Sequence, residues 1–159
     1  LLDQYGGHMY AAGLTLSLSK VEQFTHRFEE VVSDTIHPDQ LVPKIEIDVE
    51  MPLSEINFKT YNVLSQMAPF GPQNLSPVFG TKNVKIYGKP SILKDKHIKG
   101  FLREEGANKS IEFIGFGLAE KMKQVEEGAL FHIAYHLEEN DYLGNRTLLL
   151  NLKDIQIDA

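Results

Sequence analysis

The second half of the chain is written in alternation. Phe131, Ile133, Tyr135 and Leu137 take every second position, with His132, Ala134 and His136 between them, and a period of two sorts the two sets onto opposite faces of a strand. The first set, apolar throughout, is the core face. Four more segments, 78–87, 96–103, 110–115 and 146–157, have strand composition and are bounded by Gly, Pro, Asn or Asp, and the fifth is 129–138 itself. Only 118–125, between the third and fourth strands, reads as a short helix.

Five strands with one helix after the third is the order of an OB-fold barrel, whose usual ligand face lies on the second and third strands and their loops. Residues 77–159 are therefore expected to form a five-stranded OB barrel. What precedes it is mixed. Gly6-Gly7-His8-Met9-Tyr10-Ala11-Ala12-Gly13 sets paired glycines before small residues able to start a helix, and Leu14, Leu16 and Leu18 alternate with Thr15 and Ser17 as a short strand. Ser19 with Glu22 three residues on reads as a capping box, and Val21, Phe24, Phe28, Val31, Val32 and Ile36 recur at helical spacing. A helix over about 20–35 follows, ended by His37-Pro38-Asp39. Ile45, Ile47 and Val49 alternate with Glu46, Asp48 and Glu50 as a half-buried strand, and Phe58, Tyr61, Val63, Leu64 and Met67 predict a second helix that stops at Pro69-Phe70-Gly71-Pro72. The fold class is α+β, a partial α/β segment over 1–42 and a connecting strand and helix over 43–76, followed by the barrel.

Charge matters here through its distribution. The net charge is −6, yet the stretch 80–109 holds eight basic residues against three acids, a local +5 that leaves −11 for the rest. A basic island on an acidic background attracts an anion locally while the remaining surface stays soluble. The island spans the first two barrel strands, with Phe101, Phe113 and Phe116 close by. Zero cysteines exclude a disulfide scaffold, a thiol nucleophile and thiolate zinc sites. No apolar run approaches the roughly 18 residues of a spanning helix, so no membrane partner is expected. Leu1-Leu2-Asp3-Gln4 has no export signal, and a cytoplasmic location is expected. The absence of an initiator Met, and of any element ahead of Gly6, suggests part of a longer protein.

Gly6, Gly7 and His8 are compatible with a phosphate site, backbone N–H groups beside an imidazole able to donate to a phosphoryl oxygen, although a simple glycine turn has the same spacing. His132 and His136 share the outer face of a strand with no carboxylate positioned as a third ligand, and Glu46, Asp48 and Glu50 read as a solvated strand face; no metal site is expected in this chain. Ser-His-Asp arrangements, Walker loops and dinucleotide fingerprints are missing.

The segment 7–16, Gly-His-Met-Tyr-Ala-Ala-Gly-Leu-Thr-Leu, resembles the glycine-histidine motif of the accessory domain of DHH-family phosphoesterases. Ala68-Pro69-Phe70-Gly71-Pro72-Gln73-Asn74 followed by Pro77-Val78-Phe79 resembles the linker entering the OB fold of the RecJ family of bacterial exonucleases. Lys96-His97-Ile98-Lys99, Phe116-Gly117, and Asn145-Arg146-Thr147-Leu148 ahead of Asp154-Ile155 fall where that family has similar residues. Gln73, where the family often has Gly, and the spacing by Leu75-Ser76 depart from the pattern.

The resemblance implies the end of a DHH-associated accessory domain (1–42) joined to a DNA-binding barrel (77–159) of a single-strand-specific 5′→3′ DNA exonuclease, whose catalytic DHH domain with two divalent metals, Mg²⁺ or Mn²⁺, is not in this chain. This chain by itself is expected to be inactive. Gly6, Gly7 and His8 would contact DNA phosphate beside the metal centre, His8 balancing charge on the scissile group. Lys94, Lys96, His97, Lys99 and Arg103 would track the backbone, with Phe101 among the aromatics that stack bases. The implied partners are single-stranded DNA and other DNA-repair proteins, in repair and recombination. Two alternatives are an OB adapter for protein or oligosaccharide, and part of a DHH phosphoesterase acting on small nucleotides.

Overall fold

Paired glycines open the molecule with a hairpin, not with a helix start. In the computed structural model, which describes residues 1–157, β1 (Gln4–His8) pairs antiparallel with β2 (Ala11–Thr15), and Gly7 lies opposite Ala12. Gly7 has a steric reason to be glycine, since a Cβ there would sit 2.7 Å from the Ala11 carbonyl oxygen. The expected strand at 14–18 thus stops at Thr15 and belongs to the hairpin. A 3₁₀ turn (Leu18–Lys20) leads into α1 (Val21–Thr35). The capping box is not formed: Ser19 lies inside the 3₁₀ turn, Lys20 occupies the N-cap, and no side chain caps the helix. A capping box does appear one element later, where His37 Nδ1 and the Gln40 side chain reciprocate at the start of the 3₁₀ turn Pro38–Leu41.

These elements make up one of two compact units, Leu1–Lys44, and the second is Ile45–Ala159. The last two residues of the expected barrel range, 158 and 159, lie outside the described residues. In the second unit β3 (Val49–Glu50), α2 (Phe58–Ser65), β4 (Phe79–Leu93), β5 (His97–Glu104), β6 (Ser110–Gly115), α3 (Ala119–Met122), β7 (Phe131–Tyr142) and β8 (Asn145–Ile157) follow in order. Successive pairings run β4–β5, β5–β6, β6–β8, β8–β7 and back from β7 to β4. The β6–β8 pair is parallel and the others antiparallel, which is the strand circuit of the expected OB fold.

The period-two reading of β7 holds in packing. Phe131, Ile133, Tyr135 and Leu137 are buried beside Val84, Leu102, Phe113, Leu150 and Ile155, and α3 adds Ala119 and Met122. That helix is four residues long where 118–125 was expected, because Gln124 and Val125 bond three residues back, to Lys121 and Met122, in tighter turns. Removing one of the large core side chains exposes a cavity lined by the rest, a loss of about 3–5 kcal/mol for Phe→Ala.

Of the connecting strand and helix expected over 43–76, residues 45–76 fall within the barrel's unit. Met51, Leu53, Ile56 and Leu64 join the barrel core. Asn57 caps α2 by accepting from the N–H groups of Lys59 and Thr60. The expected strand over 45–50 shrinks to Val49–Glu50, parallel to Phe79–Gly80, with Asp48 accepting from Val78 N–H at 2.8 Å. Thr81 hydroxyl donates to the Met51 carbonyl at 2.6 Å, which uses its single proton, so the Tyr135 hydroxyl 3.1 Å away is the donor to Thr81 Oγ. Burial pushes the Tyr135 phenol up to about 12. Among the described residues no helix is long and apolar enough to cross a membrane.

Candidate nucleic-acid interface

The β4–β5 hairpin is held at its tip by Lys94 and Asp95, both at positive φ, with Lys96 N–H donating to the Leu93 carbonyl at 3.2 Å. Positive φ at both central residues is the signature of a type I′ turn, which matches the twist of the strands it joins. From that tip the register runs Leu93 to His97, Ile92 to Ile98 and Ser91 to Lys99, then shifts, so that Tyr87 faces Phe101 and Lys85 faces Arg103. The irregularity lies at Gly88-Lys89-Pro90, where Gly88 has φ +74°. Pro90 crosses close to Gly100, where a Cβ would meet it at 3.2 Å.

With Ile98 and Leu102 buried, the intervening β5 residues Lys99, Phe101 and Arg103 share the outer face. Tyr87 and Phe101, directly opposite one another, are 49% and 46% exposed, which leaves ring surface free for a ligand. Arg103 lies flat on Tyr87, its guanidinium carbon 3.6 Å from the ring centroid, and its buried Nε has no hydrogen-bond partner among the described residues. Lys99 pairs with Glu112 at 2.9 Å across β5–β6.

The site residues expected from sequence fall into three places. Lys99, Phe101 and Arg103 come together on this face; Lys94 and Lys96 lie at the hairpin tip; Gly6, Gly7 and His8 belong to the other unit. His97 has its Nδ1 occupied by Gly117 N–H at 3.0 Å, so the neutral ring carries its proton on Nε2, and it meets Phe116 edge-on at 5.3 Å. In β1, His8 Nδ1 accepts from Tyr10 N–H at 3.2 Å, which likewise leaves Nε2–H outward. The local +5 is thinner in space than along the chain, because Glu50 and Glu112, both outside 80–109, pair with Lys82 and Lys99.

Tyr87 was missed by the sequence reading. Continuing the register set at the tip, Leu93 to His97, pairs Phe101 with Lys89, and only the shift at Gly88-Lys89-Pro90 brings Tyr87 there. The combination of Gly and Pro within one strand was the signal for that bulge. The outer histidines are committed to backbone: His132 Nδ1 accepts from Asn83 N–H, and His136 Nδ1–H donates to the Pro77 carbonyl at 2.9 Å. Among the described residues no three His, Asp or Glu converge as metal ligands.

The RecJ OB domain family matches residues 47–154. Over 98% of its length the chain is 26% identical to the single-stranded-DNA-specific exonuclease RecJ of Salmonella typhimurium, of which it covers 26%. Its identity to the Haemophilus influenzae RecJ is 28%, and to the Bacillus subtilis RecJ 24%, covering 26% and 20% of those proteins. The chain thus spans about a quarter of the length of these relatives. A crystal structure of Thermus thermophilus RecJ in complex with Mn²⁺ superimposes along the whole chain with a TM-score of 0.69 at 20% identity, over 22% of that protein, and a Mg²⁺ complex gives 0.68. The second unit therefore has the fold of the corresponding part of RecJ.

Proposed function

This chain belongs to the RecJ OB domain family, and from that premise we propose that its barrel is the single-strand-binding part of a single-strand-specific 5′→3′ DNA exonuclease. The observation that carries the proposal is the outer face of β4–β5, where two half-exposed rings, Tyr87 and Phe101, stand side by side with Arg103 stacked on one of them and Lys99 beside the other. Base faces are open to such rings only when unpaired, and stacking contributes about 1–3 kcal/mol per base with little sequence preference. Lys94, Lys96, Lys99 and Arg103 would follow the phosphates. Lys99 first has to exchange the half-buried Glu112 for phosphate.

We assign hydrolysis to a catalytic domain of the whole protein that would hold two divalent metals, Mg²⁺ or Mn²⁺. Two such metals would supply the nucleophile and clamp the in-line displacement. This chain alone is accordingly assigned no activity. Residues 1–42 are assigned to the accessory domain, with Gly6, Gly7 and His8 contacting phosphate near that centre through the outward Nε2–H of His8. The setting is DNA repair and recombination in the cytoplasm, alongside other repair proteins.

Fluorescence anisotropy of labelled oligonucleotides tests the reading. Single strands should bind in preference to duplex, and three to five phosphate contacts give a slope of log affinity against log salt of about −2 to −3.5. Reversing Lys96 and Lys99 to Glu should weaken binding more than reversing Lys121 and Lys123, the charge-matched control, whose partners are Asp154 and Glu120. Binding that ignores salt, or equal losses in both double variants, would overturn the assignment of this face and favour an adapter for protein or oligosaccharide.

A further inference from the structure

Beyond the β4–β5 face, the barrel carries a cleft of about 640 Å³ whose walls come from four stretches of the chain. Phe101 of β5 stands on one side, and Phe58, at the start of α2 and outside the barrel strands, on another. Lys109 and Arg146 line the same cleft. The two cations are fixed in place. Lys109 Nζ donates to the Ile56 carbonyl, and Arg146 lies over the Phe58 ring, its guanidinium carbon 5.3 Å from the centroid, while two of its nitrogens hold Glu139. The hydrogen bonds from Arg146 hold the Glu139 carboxyl below the usual carboxylate range, so the pair stays ionised. Pairing leaves Arg146 with donors to spare, because a guanidinium carries five N–H groups.

We propose that this cleft binds one nucleotide unit of the same single strand, its base against Phe58 and Phe101 and its phosphate towards Lys109 and Arg146, so that the base path runs from Tyr87 through Phe101 to a ring supplied by α2. The inference rests on the proposed function, which makes Phe101 part of a stacking face. Three observations point to it. Phe101 belongs to both the outer face and the cleft, so the two are continuous. A mixed lining of aromatic rings, cations, the polar groups of Ser110 and Thr147 and one carboxylate, Glu112, which is neutralised by Lys99, suits a nucleotide better than a wholly apolar guest. The segment that brings Phe58 here is locked to the barrel by Leu53 N–H donating to Glu104 at 2.9 Å and by the Lys109 bond, so the wall exists before the ligand arrives.

The chain contains no tryptophan, which makes single-tryptophan reporters clean. Phe58→Trp and Tyr87→Trp, each in the full 159-residue chain, would be titrated with oligothymidylates of increasing length. Short strands should quench only Trp at position 87; longer ones should quench both, with the signal from position 58 appearing as the strand reaches the cleft. In parallel, Phe58→Ala should weaken long-strand binding by about 5- to 150-fold, the range expected for one lost stacked base, and leave short-strand binding unchanged. Phe58→Tyr should restore it. If position 87 is quenched while position 58 stays silent at every length, and Phe58→Ala binds long strands as well as the parent, the cleft is not a nucleotide site and the outer face stands. If neither reporter responds to any strand, the stacking face itself is lost. Loss of affinity for short and long strands alike in Phe58→Ala, at unchanged circular dichroism, would also overturn the inference, since it would mark Phe58 as a support of the outer face.

Discussion

The two compact units obey the same local rules and end in opposite states. In Leu1–Lys44 a hairpin and a 15-residue amphipathic helix form, yet no residue of the unit is buried, and Val21, Phe28 and Val31 on α1 remain exposed. In Ile45–Ala159 strands no more regular than that helix close in a circuit and bury eighteen apolar residues in one cluster. Periodicity, then, specifies an element and its apolar face; whether the face is covered depends on what else the chain supplies. Isolated helices of this length are marginal in water, and most helical stability comes from packing. The first unit's cohesion is local and the second's is collective.

The sharpest way to test that contrast is to remove a phenylalanine from each. Phe113 is fully buried and Phe28 is 56% exposed. Phe113→Ala should destabilise the barrel's urea transition by about 3–5 kcal/mol, whereas Phe28→Ala should leave it within about 0.5 kcal/mol, the range of surface substitutions. Comparable losses would mean that the first unit contributes to the same cooperative transition.

The contrast also explains which features could be read from the sequence. Long-range closure left a strong mark: each barrel strand was legible within a few residues of its observed ends except where β4 and β7 run on, because one buried face imposes a strict period of two. Local chemistry was less decisive. Ser19 and Glu22 fit a capping box, yet a 3₁₀ turn placed Lys20 at the N-cap. The glycines at 6 and 7 were compatible with a helix start, and the close pairing of Gly7 with Ala12 makes them a hairpin. The candidate site was half legible. Lys99, Phe101 and Arg103 share a face because β5 is regular; Tyr87 joins them through a bulge, and Phe58 approaches from a segment attached by the core packing of Met51, Leu53, Ile56 and Leu64 and by long-range hydrogen bonds. Neither a register shift nor a tertiary hydrogen bond has a periodic signature.

Collective closure should also make the barrel sensitive to alkali at one named group. The Tyr135 phenol is pushed up to about 12 from 10.0, chiefly by burial. Its folded value lies above its unfolded one, so its contribution is fully present below pH 10 and disappears as pH rises towards 12, when the unfolded chain releases a proton that the folded chain keeps. Each tenfold gain in proton affinity is worth about 1.4 kcal/mol, which brings the whole contribution to roughly 3 kcal/mol. Other groups titrate in this window, so the measurement is a difference. The stability of the parent chain minus that of Tyr135→Phe should fall between pH 10 and 12. A difference independent of pH would mean that the phenol reaches water in the folded barrel, and that the Tyr135–Thr81–Met51 relay is not sealed.

The smallest expected effect is the most demanding test of the comparison. Every residue of the barrel core lies between Met51 and Ile155, so a chain cut to 45–159 loses no member of that cluster. Its unfolding free energy in urea should match that of the full chain to within about 0.5 kcal/mol, with an unchanged dependence on denaturant, since that slope follows the surface exposed when the barrel unfolds. The complementary peptide 1–44 should behave differently. With fifteen helical residues and no buried side chain, it should show weak helical circular dichroism and a broad, non-cooperative loss on heating. A cooperative transition in the peptide would mean that its helix and hairpin find cohesion that burial does not register. A barrel destabilised by several kcal/mol on removal of 1–44 would mean that the helix's apolar face, with Phe28 at its centre, is covered in solution. The division would then be one of chain segments and not of stability, and Phe28→Ala should weaken the full chain by a similar amount.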